Sequence, residues 1–190
     1  MVELQNIYKS FGSKKILENF SYSFPQNGFF AITGESGKGK TTFLRLIAHL
    51  ENADKGVIKA PRKIAYSFQE YRLFPNLTVR ENIALISFEK VTPAENELID
   101  KYLKKLALFE EAECYPDELS GGMKQRVSLI RAFVSRASVV LLDEPTKELD
   151  DKLSNIVVEI IQELAKTKLV IVSLHNEEFA KKIGAQIIKT

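Results

Sequence analysis

Residues 34–41 read GESGKGKT. The pattern is Gly34, four residues, then Gly39, Lys40 and Thr41, with Gly37 inside the run. Glycines at these places let successive main-chain N–H groups turn inward around an anion with no side chain in the way. Lys40 adds a point charge for the terminal phosphates, and the Thr41 hydroxyl can ligate Mg²⁺. Such a loop constrains the fold as much as the chemistry, because it works only between a strand and a helix. FFAIT at 29–33 is mostly apolar, and FLRLIAHL at 43–50 has helical spacing. We therefore expect strand, loop and helix in that order, with the helix starting near Lys40 and its positive end facing the anion. Glu35, Ser36, Lys38 and Thr42 complete the expected nucleotide-lining set, and the Lys38 side chain is read as solvated.

The rest of the chain fits around that unit. FSYSF at 20–24 alternates with period 2, as a half-buried strand does, and PQNG at 25–28 is a turn. TVRE at 78–81 and TPAE at 92–95 both match the capping box, the second with Pro93 at the first helical position. Ile99, Tyr102, Leu103 and Leu106 form an apolar helical stripe. A helical subdomain is expected over roughly 70–136. VVLLD at 139–143 and KLVIVSLH at 168–175 are apolar runs of the kind that parallel strands buried on both faces require. Leu153, Ile156, Val157, Ile160 and Leu164 make a helical stripe between them, and NEEFAKKIG is a short last helix. His49 is expected in mid-helix as a structural residue. The expected fold is α/β: a phosphate-loop core with a mainly parallel sheet, an N-terminal antiparallel β subdomain and an inserted α-helical subdomain, all in a single domain over 1–190.

Composition excludes several partners. The 190 residues carry 27 Lys+Arg against 25 Asp+Glu, a net charge of +2, which is too mild for a sequence-independent nucleic-acid binder. No nucleic-acid partner is expected. A single cysteine, Cys114, allows no internal disulfide, and a cytosolic setting is the simpler reading. The longest apolar runs are strand-sized, well short of the ~20 residues of a spanning helix. MVELQNIYKSFG has polar residues interleaved from the start and is not read as a signal peptide. Any membrane part would come from another chain.

Two further segments say what the phosphate is used for. VVLLDE ends an apolar strand in Asp143, which puts a carboxylate where Mg²⁺ would sit. Glu144 follows at once, placed to take a proton from a water attacking the γ-phosphate. LSGGMKQR at 119–126 opens a helix with a Ser-Gly-Gly turn, a second anion-binding helix N-terminus. A small kinase would not need that turn, and the Asp143–Glu144 pair suits water activation better than transfer to a substrate.

With these segments in view, the chain resembles the ATP-binding cassette of ABC transporters. GESGKGKT is similar to the Walker A loop, Gln69 in YSFQE to the Q-loop glutamine, LSGGMKQR to the signature motif and VVLLDE to Walker B. Leu149 and Asp150 in DEPTKELD resemble the end of the D-loop, His175 in VSLHN the switch histidine, and Phe11 in YKSFG the aromatic that stacks on adenine. The resemblance implies ATP and Mg²⁺ as ligands. Glu144, His175, Gln69 and Lys40 would be catalytic, and Thr41, Gln69 and Asp143 would serve the metal, Asp143 through water. Ser120, Gly121, Gly122 and Asp150 would serve the nucleotide of a second ATPase subunit in a head-to-tail homodimer. The D-loop departs from the commoner TSALD in reading TKELD, so Lys147 and Glu148 put charge near the dimer seam.

The function this implies is a cytoplasmic ATPase subunit, peripheral on the membrane, that powers a separate permease importing a small solute. The permease would dock near Gln69–Leu77, with Tyr71, Leu73, Phe74 and Leu77 as contacts. The alternative is a soluble relative acting on ribosomes or nucleic acid. Lys40 to Leu119 spans only 119 − 40 = 79 positions, which leaves no room for the long coiled coil of the chromosome-associated relatives.

Overall fold

Alternating polar and apolar residues at the N-terminus form a sheet with one buried face. In the computed structural model, which describes residues 1–87 and 91–189, β1 (Val2–Phe11) pairs antiparallel with β2 (Lys14–Phe24) and with β4 (Lys55–Lys59). Val2, Leu4, Ile7, Leu17 and Phe24 point inward and are buried. The strand KGVIK was not expected, because its ends are charged and only Ile58 faces inward. It is an edge strand identified by its partner rather than by its own pattern.

The main sheet has the order β5-β6-β7-β3-β8. β3 (Gly28–Thr33), β6 (Val139–Asp143) and β7 (Leu169–Leu174) are its long members, and β7 pairs parallel with both of the others. Every residue of VVLLD and LVIVSL is buried, as strands covered on both faces require. β5 (Ala65–Ser67) and β8 (Gln186–Ile188) complete the sheet at three residues each, too short to show a period. The expected parallel core and antiparallel N-terminal sheet are both present.

Helix α1 (Lys40–Ile47) follows the glycine loop, with Phe43, Leu44, Leu46 and Ile47 fully buried. It stops earlier than expected, and His49 is not in mid-helix. His49 adopts a left-handed φ of 56°, its N–H bonds Leu46 O, and Leu50 N–H bonds Arg45 O. These two bonds are a Schellman termination, here with histidine where glycine is usual, so sequence composition did not reveal the stop.

The chain divides into two compact units. One is Met1–Tyr66 with Ala137–Glu144 and Ile161–Thr190; the other is Ser67–Arg136 with Pro145–Ile160. The second unit is helical: α2 (Val79–Ser87), α3 (Pro93–Lys105), α4 (Gly121–Val134) and the first part of α5 (Asp151–Ala165). Both capping boxes form. Thr78 N–H bonds Glu81 Oε2 at 2.8 Å, and Thr92 N–H bonds Glu95 Oε2 at 2.8 Å. Ile99, Leu103 and Leu106 are buried as expected, and the half-buried Tyr102 packs its ring against Phe133. On α5 the buried face is rotated from the expected stripe. Val157, Val158, Ile160, Ile161 and Ala165 are buried, while Leu153, Ile156 and Leu164 are only half-buried. A last helix, α6 (Glu177–Lys182), is capped by Asn176, whose Oδ1 accepts from Glu178 and Phe179 N–H.

Candidate nucleotide site

The strand register sets the site. Asp143 stands opposite Ser173, and Thr33 opposite Leu174. The C-terminal ends of β6, β7 and β3 therefore open on one edge of the sheet, where ligands of such sheets bind. The glycine loop, Asp143–Glu144 and His175 all leave the sheet there.

Within the loop, Gly39 has φ of 93°, and a Cβ on it would lie 2.2 Å from Ile16 Cγ2, so only glycine fits. Lys40 is buried and its Nζ donates to Gly34 O at 2.7 Å and Glu35 O at 3.1 Å. The ammonium thus lies across the loop's own carbonyls. Glu35, Ser36, Gly37 and Lys38 are exposed, and Thr41 and Thr42 are half-buried in the first turn of α1. Gly39, at the N-cap of α1, offers no side-chain acceptor, and the first turn holds no acidic residue. Unlike a capped helix, α1 keeps its first N–H groups for an outside anion. A loop of this build fits a polyphosphate.

Asp143 and Glu144 are both buried, at 2% and 9% exposure. The hydroxyl of Ser173, itself fully buried, donates to Asp143 Oδ1 at 2.5 Å and accepts from Glu144 N–H at 2.9 Å. Tyr66 Oη is 3.5 Å from Asp143 Oδ2. Burial, and secondly the Asp143 charge, raise the Tyr66 phenol well above its ordinary value, so it stays a hydroxyl. Glu144 adopts a left-handed φ of 51°, uncommon for a residue with a side chain. Its Oε1 lies 2.5 Å from His175 Nε2. His175 is partly exposed, so the pair reaches from the buried strand end to solvent. As for the cation, Asp143 offers hard carboxylate oxygen and Thr41 a hydroxyl, a donor set suited to Mg²⁺.

Phe11 lies at the tip of the β1–β2 hairpin, 49% exposed, with Lys9 Nζ 4.8 Å from its ring centre. It pairs with Lys14, whose Nζ would be 3.5 Å from a Cβ on Gly37. The hairpin tip is therefore next to the phosphate loop, and a flat apolar face is open to solvent there.

The other candidates belong to the helical unit. Ser120 is the N-cap of α4, accepting from Met123 N–H, so the Ser-Gly-Gly turn opens a helix as expected. Asp150 caps α5, its Oδ1 accepting from Leu153 N–H at 2.8 Å. Gln69 begins the segment that runs to Leu77. Arg131, 6% exposed, donates to Tyr71 O and Arg72 O and so fixes that segment's main chain; burial lowers its guanidinium to about 10. Asn82, fully buried, accepts from Phe74 N–H and donates to the carbonyls of Phe74, Leu77 and Thr78. Phe74 is left 45% exposed. The sequence reading missed Ser173, Tyr66, Arg131 and Asn82. A lone serine inside an otherwise apolar buried strand is the one local signal that could have marked any of them.

The ABC transporter family model matches residues 17–147. The chain belongs to the ABC transporter family. The arginine transport ATP-binding protein ArtM of Bacillus subtilis (strain 168) is 34% identical over 99% of this chain and 86% of its own length. The glutamine transport ATP-binding protein GlnQ of Escherichia coli (strain K12) is also 34% identical, over 99% and 86%. Among solved structures, the dimeric post-hydrolysis state of the ATP-binding cassette MJ0796 bound to ADP and Pi superposes with a TM-score of 0.86. That chain is 28% identical, with 99% of this chain and 93% of that one covered. Among the described residues of this ABC family member, no helix is long and apolar enough to cross a membrane.

Proposed function

We propose that this chain is the ATP-hydrolysing subunit of an ABC transporter that imports a small solute. It would work as a head-to-tail dimer on the cytoplasmic face of the membrane, joined to a separate permease. The observation that carries the ATP-hydrolysing role is the 2.5 Å contact of Glu144 with His175, at the sheet edge that also carries the glycine loop. Relatives named for arginine transport, glutamine transport and L-cystine import support the importer class without singling out one solute.

In this proposal Gly34–Thr42 wraps the triphosphate, Lys40 leaves the loop carbonyls for the terminal phosphates, and Phe11 stacks on the base. Thr41, Asp143 through water, and Gln69 as a further ligand would hold Mg²⁺, which would screen the phosphate charge. Glu144 takes the proton of the attacking water, and His175 orients the Glu144 carboxylate and contacts the γ-phosphate. Ser120, Gly121, Gly122 and Asp150 serve the nucleotide held by the second subunit. The segment Gln69–Leu77 receives the permease, and its exposed Phe74 supports that role.

Phosphate release by the purified chain with MgATP, set against the Lys40→Ala variant, tests the ATPase role. Equal release by both would overturn it. Co-purification from membranes with a hydrophobic permease tests the transport role, and recovery only from a ribosomal or nucleic-acid fraction would replace it.

A further inference from the structure

Glu148 stands where alanine is commoner in this family's D-loop. In the helical unit its carboxylate does two things. Oε2 accepts a short hydrogen bond from Tyr71 Oη, across 77 positions of sequence. The same oxygen would lie 2.8 Å from a Cβ on Gly121, with Tyr71 Oη at 3.1 Å from it. The main chain joins in: a Cβ on Gly122 would lie 2.9 Å from Glu148 O. Both signature glycines are thus pressed by this one residue, and neither could carry a side chain without moving it.

Tyr71 is also held from the other side. The buried Arg131 donates to its carbonyl at 3.0 Å. The Glu148 bond, more than any other cause, pushes the Tyr71 phenol up to about 12, so it remains a donor at every working pH. Alanine at 148 would offer Tyr71 nothing.

We propose that Glu148 is a positioning residue that ties the Tyr71 segment to the signature turn Ser120-Gly121-Gly122. It rests on the ATPase role proposed above only for its effect on turnover. A change in the Gln69–Leu77 segment is transmitted through the Tyr71 hydroxyl to the turn that meets the second subunit's nucleotide.

The test uses the full chain with Tyr71→Phe, Glu148→Ala, the pair of them, and Glu148→Gln. Amide exchange of residues 120–124 should quicken about fivefold in Tyr71→Phe and in Glu148→Ala, and no further in the double variant. Glu148→Gln should stay near the parent, because an amide oxygen still accepts from Tyr71. The turnover number of the ATPase should fall about fivefold in the same non-additive pattern, with ATP affinity within about twofold of the parent. Unchanged exchange, additive losses, or faster turnover in Glu148→Gln would each overturn the tie; the last would make Glu148 a repelling charge. A parent that shows the exchange pattern but releases no phosphate would sink the ATPase role and leave the tie standing.

Discussion

Ser173 Oγ donates to Asp143 Oδ1 and accepts from Glu144 N–H, so one buried hydroxyl holds both carboxylate residues at the end of β6. The hydroxyl fixes one oxygen of Asp143 and the main chain of Glu144, and thereby the left-handed turn on which Glu144 swings toward His175. The two acids are adjacent in sequence but are held differently, and Ser173 sets that difference. Asp143 is pinned at the strand end, while Glu144 turns away to His175.

Replacing Ser173 with alanine should therefore leave the Glu144 amide without its acceptor and Asp143 without its donor. A buried group left unsatisfied costs about 1–3 kcal/mol, and the variant should lose about that much against denaturant. Phosphate release should fall about tenfold, as outer-shell partners of metal sites commonly show, and more Mg²⁺ should be needed for half-maximal rate. A variant of parental stability and Mg²⁺ requirement would show that water replaces the hydroxyl.

Glu144→Gln should bind ATP and hydrolyse it about 10²–10⁴-fold more slowly, because the group proposed to accept the water's proton is gone. Loss of the charge also removes repulsion of the γ-phosphate, so the ATP-bound dimer should persist in size-exclusion chromatography. Near-parental turnover would assign the base elsewhere.

The segment proposed to receive the permease gives a contrast between two neighbours. Phe74 is 45% exposed, so Phe74→Asp should change stability by no more than about 0.5 kcal/mol and leave ATP binding intact, yet abolish co-purification with the permease. Asn82 is fully buried and holds the main chain of Phe74, Leu77 and Thr78. Asn82→Ala should cost about 2 kcal/mol or more in thermal or denaturant unfolding. An unfolded Phe74→Asp would make this face core rather than docking surface.

What sequence showed and what it hid follow one physical line. The glycine loop and the two capping boxes are legible because their partner atoms lie within a few positions, and the strand VVLLD because its unbroken apolar run marks a strand buried on both faces. The end of α1 was hidden because left-handed His49 does the work of glycine. β5 and β8 were hidden by their length, and β4 by its charged ends. Ser173 looked like one small residue in an apolar strand, since its partners come from another strand 30 positions away. The rotated face of α5 arose because Val158 and Ile161 are as apolar as the stripe chosen, and only tertiary packing decides between them. The departure at Glu148 was visible, but its pairing with Tyr71 was hidden because the two lie 77 positions apart.

Complementation between two inactive variants shows whether each active site is built from two chains. Lys40→Ala spoils the phosphate loop and leaves the signature turn sound. For the opposite lesion, a change at Gly122 is a poor choice, because any Cβ there meets Glu148 O at 2.9 Å and would confuse folding with catalysis. Ser120→Asp is better. Aspartate is as good an N-cap as serine and favours the positive end of α4, so the helix should keep its stability. Its charge nevertheless stands where, in the proposed dimer, a partner's γ-phosphate would approach. Each variant alone should release little phosphate. Mixed at high concentration after both are shown to be folded and to exchange subunits, they form a dimer in which the sound loop of one chain meets the sound turn of the other. One site in that dimer is whole, and activity should return, below half the parental rate if the two sites fire together. Recovery supports the head-to-tail homodimer. Full activity of Ser120→Asp by itself would remove the signature turn from the site, and two inactive variants that never complement would mean strictly coupled sites or a different cassette as the natural partner.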